Sequence, residues 1–206
     1  NNSGMDPVNP FYTYFAGQSN FTATLQSGTS YTIQVSNGTA GTGNVAVWID
    51  YNNNELFEES EKVTFTTTTM DGSSTVSLNF TVPCLPQSGV HRMRVRYVWG
   101  SANPGSTMDP CASYSWGEVE DYDVTIQATP AVVGDNIQNI TVPLAGDATL
   151  AQIVINPTNA KWYASELDAL AAINELPLST VLVSGTTYYA VNVVNNCASQ
   201  PFAVTV

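Results

Sequence analysis

The sequence predicts an all-β protein built from two β-sandwich domains in tandem, with one short helical insertion in the second. Three observations indicate this class. Thr, Ser, Asn, Gly and Val dominate the chain and long runs of good helix formers are nearly absent, a composition that favours strands and turns. Apolar and polar residues alternate in many short segments that end in turn signals. The pattern restarts near Thr129-Pro130, which divides the 206 residues into two parts.

The domain boundaries follow from this pattern. Residues 1–10 are polar, contain two prolines and form a predicted lead-in or linker. Residues 11–128 form the first domain and residues 129–206 the second, where turn signals recur at the spacing of a β-sandwich. A single helical pattern lies in the second domain, from Ser165 to Asn174. Ser165 is its predicted N-cap, followed by apolar residues at helical spacing: Leu167, Leu170 and Ile173.

Charge limits the classes of partner. The chain has 5 Lys and Arg against 17 Asp and Glu, a formal net charge of −12, which argues against nucleic acid and anionic membranes and suits a protein that binds cations. No run of apolar residues is long enough for membrane insertion as a helix. The low charge content, the Thr and Asn richness and a pairable set of cysteines favour an extracellular location.

One stretch has the pattern of a calcium-binding loop. The segment Trp48–Val63 begins as a strand and continues into residues whose side chains offer oxygen. In the twelve-residue calcium loop, ligands come from positions 1, 3, 5, 7, 9 and 12, with a backbone carbonyl at position 7. Counted from the first aspartate, these positions are Asp50, Asn52, Asn54, Leu56, Glu58 and Glu61. The sequence therefore predicts a structural calcium ion here.

Position 6 of the loop departs from the calcium-loop pattern, which has Gly there for a sharp turn. This chain has Glu55, and a non-Gly residue at positive φ is costly. Either the turn is looser or the affinity for calcium is lower. A polar, Asn-rich hairpin loop with a solvated acidic end is the alternative interpretation of the same residues.

Two later strand patterns carry rows of opposite charge. In GVHRMRVRYVW, alternate positions place three arginines on one face: Arg92, Arg94 and Arg96. In GEVEDYDVTI, the same alternation places Asp121 and Asp123 on one face. Antiparallel pairing would set the two rows opposite each other. For most of these charges the favoured interpretation is a surface ladder that contributes little per pair.

The long, turn-rich connection between these two strands contains Cys111. A disulfide between Cys84 and Cys111 would restrict this connection and is favoured over two free thiols. Cys197 has no partner within the second domain and is expected to be a free or buried thiol.

Aromatic residues cluster beside the same connection: Trp99, Tyr114 and Trp116. Aromatic side chains at a loop can stack on a sugar ring, and they also commonly cap a core. Core capping is the favoured interpretation, and a ligand platform is the alternative.

The segment GEVEDYDVTI resembles the signature of the GEVED domain, a module of secreted multidomain proteins of Bacteroidetes. Upstream, WIDYNNNELFEESEKV is similar to the acidic loop of this family, HRMRVRY to its Arg strand and DPC to its cysteine segment, so the resemblance covers about residues 11–128. The family usually has Gly where this chain has Glu55. The second domain is similar to small Ig-like modules of the same secreted proteins, through Lys161–Tyr163, Val183–Tyr189 and Asn196–Cys197, which implies an Ig-like sandwich.

These resemblances imply a non-catalytic accessory region, a spacer or adhesion module of a secreted or cell-surface bacterial protein. The alternative is a carbohydrate- or protein-binding module attached to a secreted hydrolase such as a metallopeptidase. Expected partners are an extracellular glycan or protein and other domains of the parent chain. An enzyme is not expected, because no HExxH, GxSxG or P-loop pattern occurs. The sole histidine, His91, lies in the Arg strand and is interpreted as structural.

Overall fold

The computed structural model describes residues 11–38, 41–144 and 146–206. The lead-in predicted for residues 1–10 lies outside the described residues. The strands are β1 (Tyr12–Tyr14), β2 (Ala23–Gln26), β3 (Ser30–Ser36), β4 (Gly43–Ile49), β5 (Lys62–Phe65), β6 (Thr75–Thr81), β7 (Gly89–Trp99), β8 (Gly117–Gln127), β9 (Val133–Gly134), β10 (Ile155–Asn156), β11 (Lys161–Tyr163), β12 (Thr187–Val191), β13 (Val193–Val194), β14 (Cys197–Ala198) and β15 (Phe202–Thr205). The helix α1 spans Glu166–Ala171, and 3₁₀ turns lie at Ser19–Phe21, Glu59–Glu61, Gly105–Thr107 and Leu150–Gln152. The predicted all-β class is confirmed.

The chain divides into two compact units. The first contains the residues up to Val82 and Ser88–Gln127, and the second contains Pro83–Gln87 and Ala128–Val206. The segment Pro83–Gln87, which the sequence placed in the first domain, belongs to the second unit because Cys84 is bonded there. No helix within the described ranges is long and apolar enough to cross a membrane.

The first unit packs a large sheet against a two-stranded one. The large sheet has the order β1-β8-β7-β4-β5, with β2 also paired to β8, and within the described part of the chain β3 pairs with β6 alone. All seven residues of β4 are buried, because both faces of this central strand are covered. On one face Val45 and Val47 pack with residues of β3 and β6, and on the other Trp48 packs with Met108 from the β7–β8 connection.

The second unit has a three-stranded sheet, β11-β12-β15, and two pairs of short strands, β9–β10 and β13–β14. Its core centres on Trp162, Tyr188 and Val204. The Ig-like assignment of this unit stays a prediction.

The predicted helix is present but shorter. Ser165 is its N-cap, since the Ser165 hydroxyl accepts a hydrogen bond from the Asp168 amide at 3.1 Å. The apolar residues at helical spacing do not form a buried face, since Leu167, Leu170 and Ile173 are all exposed, whereas Ala169 is buried. A six-residue helix has less than two turns, and α1 packs closely on the sheet through Ala169, which contacts Tyr163 and Val191.

The disulfide joins Cys84 to Cys197, and the predicted pairing of Cys84 with Cys111 is wrong. The two Cα atoms of the bond lie 5.2 Å apart, within the ordinary range. Cys197, expected as a free or buried thiol, is buried in β14 but bonded to Cys84, and Cys111 is an exposed free thiol. The prediction relied on nearness along the chain, whereas the segment after β6 lies beside the β13–β14 turn, where the Cys84 Sγ is 3.9 Å from the Asn196 carbonyl oxygen.

Candidate metal centre

The acidic loop connects β4 to β5 and is anchored where it begins. The Asp50 amide donates to the Arg92 carbonyl at 2.9 Å, and the Asp50 carbonyl oxygen lies 2.9 Å from Nδ1 of the buried His91. A carbonyl can only accept, so this imidazole nitrogen donates. His91 therefore holds the start of the loop, which is the structural role that the sequence assigned to it.

Side chains at alternate positions fold back over the loop. The Asp50 carboxylate accepts from the amides of Asn54 at 3.2 Å and Glu55 at 3.0 Å. The Asn52 Oδ1 accepts from the Asn54 amide, and the Asn54 Oδ1 from the Leu56 amide, both at 2.9 Å. Each of these oxygens has a second lone pair. The oxygens predicted as ligands at positions 1, 3 and 5 are therefore fixed in orientation by the backbone that follows them.

The two glutamates close the loop through a capping box around the 3₁₀ turn Glu59–Glu61. The Glu61 carboxylate accepts from the amides of Tyr51 at 2.8 Å and Glu58 at 3.2 Å. The Glu58 carboxylate accepts from the side-chain amides of Asn52 and Asn54, both at 2.8 Å. The spacing E-x-x-E makes this closure possible, because it places one carboxylate at the N-cap and the other at the third residue of the turn.

Glu55 adopts the left-handed conformation, with φ of 68°, at the position where the calcium-loop pattern has Gly. The sharp turn is therefore kept. Asn53 is also left-handed, with φ of 55°, but Asn tolerates this region better than other non-Gly residues. For Glu55 the conformation costs about 1–2 kcal/mol.

Replacing Glu55 with Gly is therefore expected to stabilise the first unit. The relief of left-handed strain exceeds the extra backbone entropy of Gly in the unfolded chain, and the net gain is about 0.5–1 kcal/mol. Urea unfolding of Glu55→Gly measures it, and Asn53→Gly is the matched control with a smaller gain. A loss of stability in Glu55→Gly would contradict this account of the turn.

Two carboxylates of the loop are buried without a counter-charge. Asp50 and Glu61 are each 4% exposed, and neither belongs to an ion pair within the described ranges. Burial raises the pKa of Glu61, and the charge of Asp50 adds to this effect. Buried charges are costly unless they are paired or bind a metal ion. The loop therefore offers a site where a cation would offset an existing electrostatic cost.

The donor set fits a hard cation. All six predicted ligands offer oxygen, which calcium prefers, whereas softer transition metals favour nitrogen and sulfur ligands. Among the described residues no group of three His, Cys, Asp or Glu side chains is arranged to hold a metal ion, so the structure does not bring Asp50, Glu58 and Glu61 together as such a group. A calcium shell here would also need the amide oxygens of Asn52 and Asn54 and the carbonyl of Leu56.

The raised pKa of Glu61 gives a pH dependence of definite sign. Between the ordinary glutamate pKa of 4.5 and the raised value, the folded protein binds more protons than the unfolded chain. In calcium-free solution, the stability of the first unit should therefore fall as pH rises through this window. Unfolding in chelator at several pH values measures this trend, and Glu61→Gln should flatten it. A stability that increases with pH across the window, and does so equally in both proteins, would contradict the assignment.

A cationic stack connects the loop to β8. The Arg94 guanidinium forms two hydrogen bonds of 2.8 Å to the fully buried Asp121, and it lies 4.6 Å from the ring of Phe57 in the loop. The Tyr12 hydroxyl donates to the same carboxylate at 3.0 Å. The predicted register of the Arg and Asp rows is confirmed, since Arg94 lies opposite Asp121. The surface-ladder interpretation is wrong for this pair, which is buried.

Arg96 fixes the long β7–β8 connection, a role that the sequence did not reveal. Its guanidinium donates to the carbonyls of Asp109, at 3.1 Å, and Ala112. Asp109 in turn accepts from the Cys111 and Ala112 amides, and these hydrogen bonds lower the pKa of Asp109. The sequence did contain one sign of this role: Arg96 is the third arginine of the row, and the residue opposite it is Val119 and not an aspartate.

Two of the three aromatic residues of the predicted platform line one depression, and the third packs elsewhere on the same unit. Tyr114 and Trp116 line a depression of about 100 Å³. The Trp99 indole is not part of that lining and instead packs over Gly41, where a Cβ would collide with it. Tyr114 packs beside the buried cluster that includes Met108, with the Arg96 guanidinium 4.5 Å from its ring. Ligand binding at these residues stays a prediction.

The fold and loop define an all-β module with an oxygen-rich acidic loop, and a family comparison refines this class. Residues 44–125 match the sequence model of the GEVED domain, a range that includes the loop, the Arg strand and most of β8. The GEVED domain is a non-catalytic accessory domain of secreted proteins. A comparison with curated proteins found no match.

A comparison with solved structures found similarity to several proteins, bacterial chaperones among them. The Pseudomonas aeruginosa CupB2 chaperone is 13% identical with a TM-score of 0.32, and the match covers 52% of this chain and 53% of that chain. The E. coli chaperone DraB is 10% identical with a TM-score of 0.37, covering 90% and 95%. The Caenorhabditis elegans MSP-domain-like protein SSP-19 is 16% identical with a TM-score of 0.31, covering 52% and 94%. The chain thus spans about half of CupB2.

Proposed function

We propose that this chain is a calcium-stabilised, non-catalytic accessory region of a secreted or cell-surface protein, acting as a spacer or adhesion module. The observation that carries the proposal is the pair of buried carboxylates, Asp50 and Glu61, in a loop of oxygen donors without a counter-charge in the described ranges. The match of residues 44–125 to the GEVED domain supports the secreted and non-catalytic parts of the proposal.

The residues that would hold calcium are the predicted ligands: Asp50, Asn52, Asn54, the Leu56 carbonyl, Glu58 and Glu61. Bound calcium supplies positive charge to the buried carboxylates. Asp50 directly follows β4 and Glu61 directly precedes β5, so ligation from both ends fixes the loop that connects the two strands. Phe57 of the loop also packs against Arg94, which forms the ion pair with Asp121 of β8. A loop fixed by calcium should therefore also hold Arg94 in place beside Asp121.

Thermal unfolding in chelator and in added calcium tests this proposal. A ligand that binds only the folded state stabilises it by mass action, by about 2.7 kcal/mol at a concentration of one hundred times Kd. We expect calcium to raise the melting temperature of the wild-type chain and of Asp71→Asn, an exposed control in the same unit. The rise should be lost in Asp50→Asn. No rise in the wild type, or an equal rise in Asp50→Asn, would contradict the proposal.

A second candidate function is the binding of a glycan or protein surface beside Trp116. This side chain is 63% exposed and lines the depression with Tyr114, and aromatic faces of this kind stack on sugar rings or fill protein interfaces. A glycan array probed with the full chain tests it. Binding that Trp116→Ala abolishes and Trp99→Ala retains would support the candidate, and an array without any bound glycan would count against its carbohydrate form.

A further inference from the structure

The first unit has an open groove between β3 and the inner face of β7 and β8. Its volume is about 720 Å³. The lining combines apolar and aromatic side chains with two carboxylates. It includes Ile33, Val35, Met93, Tyr122, Glu118 and Glu120. Among the residues that the structure describes, the second layer of the sandwich therefore leaves part of the large sheet uncovered.

The groove exists because the small sheet ends at β3. Within the described ranges, β3 pairs only with β6. Two inward-facing residues of β6, Leu78 and Phe80, are buried and the third, Val76, is half-buried, whereas Ile33 and Val35 of β3 are both half-buried. Lower burial of this kind is expected for an edge strand that has no neighbouring strand on one side. One further strand at that position would cover the apolar floor.

The edge of β3 presents free backbone groups to that position. The Val82 amide donates to the Thr29 carbonyl at 3.0 Å, and the Asn37 amide donates to the Ser74 carbonyl at 2.8 Å. These bonds place the odd-numbered residues of β3 in hydrogen-bonded register with β6. Because such bonds alternate along an antiparallel pair, Thr32 and Gln34 turn their N–H and C=O groups away from β6, toward the groove.

The carboxylates give the groove a chemical preference. Glu118 and Glu120 lie at alternate positions of β8 and face the same side. Burial raises the pKa of Glu118, and the charge of Glu120 adds to this effect. Glu118 has no ion-pair partner among the residues that the structure describes. A cationic side chain entering the groove would therefore meet two carboxylates whose mutual repulsion it relieves.

We propose that the groove is a docking site for an extended, basic segment of a partner protein, which adds to β3 as a further strand. Alternate side chains of an added strand point the same way. Apolar residues of the segment cover Met93 and Tyr122, and Lys or Arg residues two positions apart pair with Glu118 and Glu120. This site does not depend on calcium binding at the loop, so each proposal can fail without the other.

Synthetic peptides and the full chain test the proposal by fluorescence anisotropy. The probes are two labelled nine-residue peptides with Thr at every odd position. In one, the even positions are Val, Val, Lys and Lys in sequence, and in the other they are Lys, Lys, Val and Val. The control peptides carry Glu in place of Lys. We expect the Lys peptide of one order to bind, and the affinity to fall about tenfold in the double variant Glu118→Gln/Glu120→Gln, as expected for two lost charge-assisted contacts.

A matched pair of variants on β3 tests the strand-addition geometry. Gln34→Pro removes an outward N–H without removing a bond to β6, and Pro is tolerated at an edge strand. Gln34→Thr keeps that N–H. We expect Gln34→Pro to abolish peptide binding and Gln34→Thr to retain it, with unchanged thermal unfolding in both.

Three results would overturn the proposal. The first is the absence of binding of either Lys peptide to the wild-type chain. The second is equal binding of Glu and Lys peptides, or binding to Gln34→Pro at the wild-type affinity. The third is self-association of the chain that Gln34→Pro abolishes without any peptide, which would identify a second copy as the occupant of the groove.

Discussion

Replacing Cys84 with Ala is expected to lower the free energy of unfolding of the second unit by about 4 kcal/mol. The bond joins residues separated by 113 positions, and in the chain-entropy account a closed loop of this size restricts the unfolded chain by about 4–5 kcal/mol. Cys84 is exposed, so its truncation leaves no core cavity. Urea unfolding followed by Trp fluorescence measures the loss.

Cys111→Ala is the control for this experiment. Its thiol is exposed and free, and its removal should change stability by less than about 0.5 kcal/mol. A large loss in Cys111→Ala together with no loss in Cys84→Ala would show that the bond between Cys84 and Cys197 is not the one present in solution.

The second large effect is expected at the buried ion pair. Asp121→Ala should destabilise the first unit by about 3–5 kcal/mol, because it leaves the Arg94 guanidinium partly buried without its carboxylate. The same change frees Arg94 from the geometry in which it lies over Phe57, so a lower calcium affinity should accompany the loss of stability.

Asp123→Ala is the matched control, two residues along the same strand and on the same face. Asp123 accepts a hydrogen bond from the Tyr14 hydroxyl at an exposed position, and exposed contacts contribute at most about 1 kcal/mol. Equilibrium unfolding of both variants separates the two positions. Equal losses of stability in the two variants would mean that the Arg94–Asp121 pair stabilises the fold no more than an ordinary surface pair does.

The sequence predicted the pairing of these charges but not their burial. Alternation along β7 and β8 places Arg94 and Asp121 on one face and opposite each other, which needs no tertiary information. What covers that face is the β7–β8 connection, through Met108 and the carbonyl groups that Arg96 fixes. The residues by which an irregular connection packs on a sheet do not recur at a regular spacing in the sequence. The alternation of polar and apolar residues could therefore not show where this connection lies.

The same limit explains the other outcomes. The proposed loop ligands follow a fixed spacing, so the sequence was sufficient to propose them, whereas the conformation of Glu55 depends on the hydrogen bonds that surround it. The pairing of Cys84 depends on which strands meet in three dimensions. The outward-facing residues of α1, such as Leu167, have core-like spacing, but a helix this short reaches its sheet through Ala169.

Direct measurement of calcium binding tests the central claim. Isothermal titration of the chelator-treated chain should show one calcium ion bound per chain. The variant Asp50→Asn/Glu61→Gln, with its β-structure verified by circular dichroism, should bind none, while Asp71→Asn should bind as the wild type does. The absence of calcium binding by the wild-type chain, or equal binding by the double variant, would contradict the account and leave the loop as an acidic connection between β4 and β5.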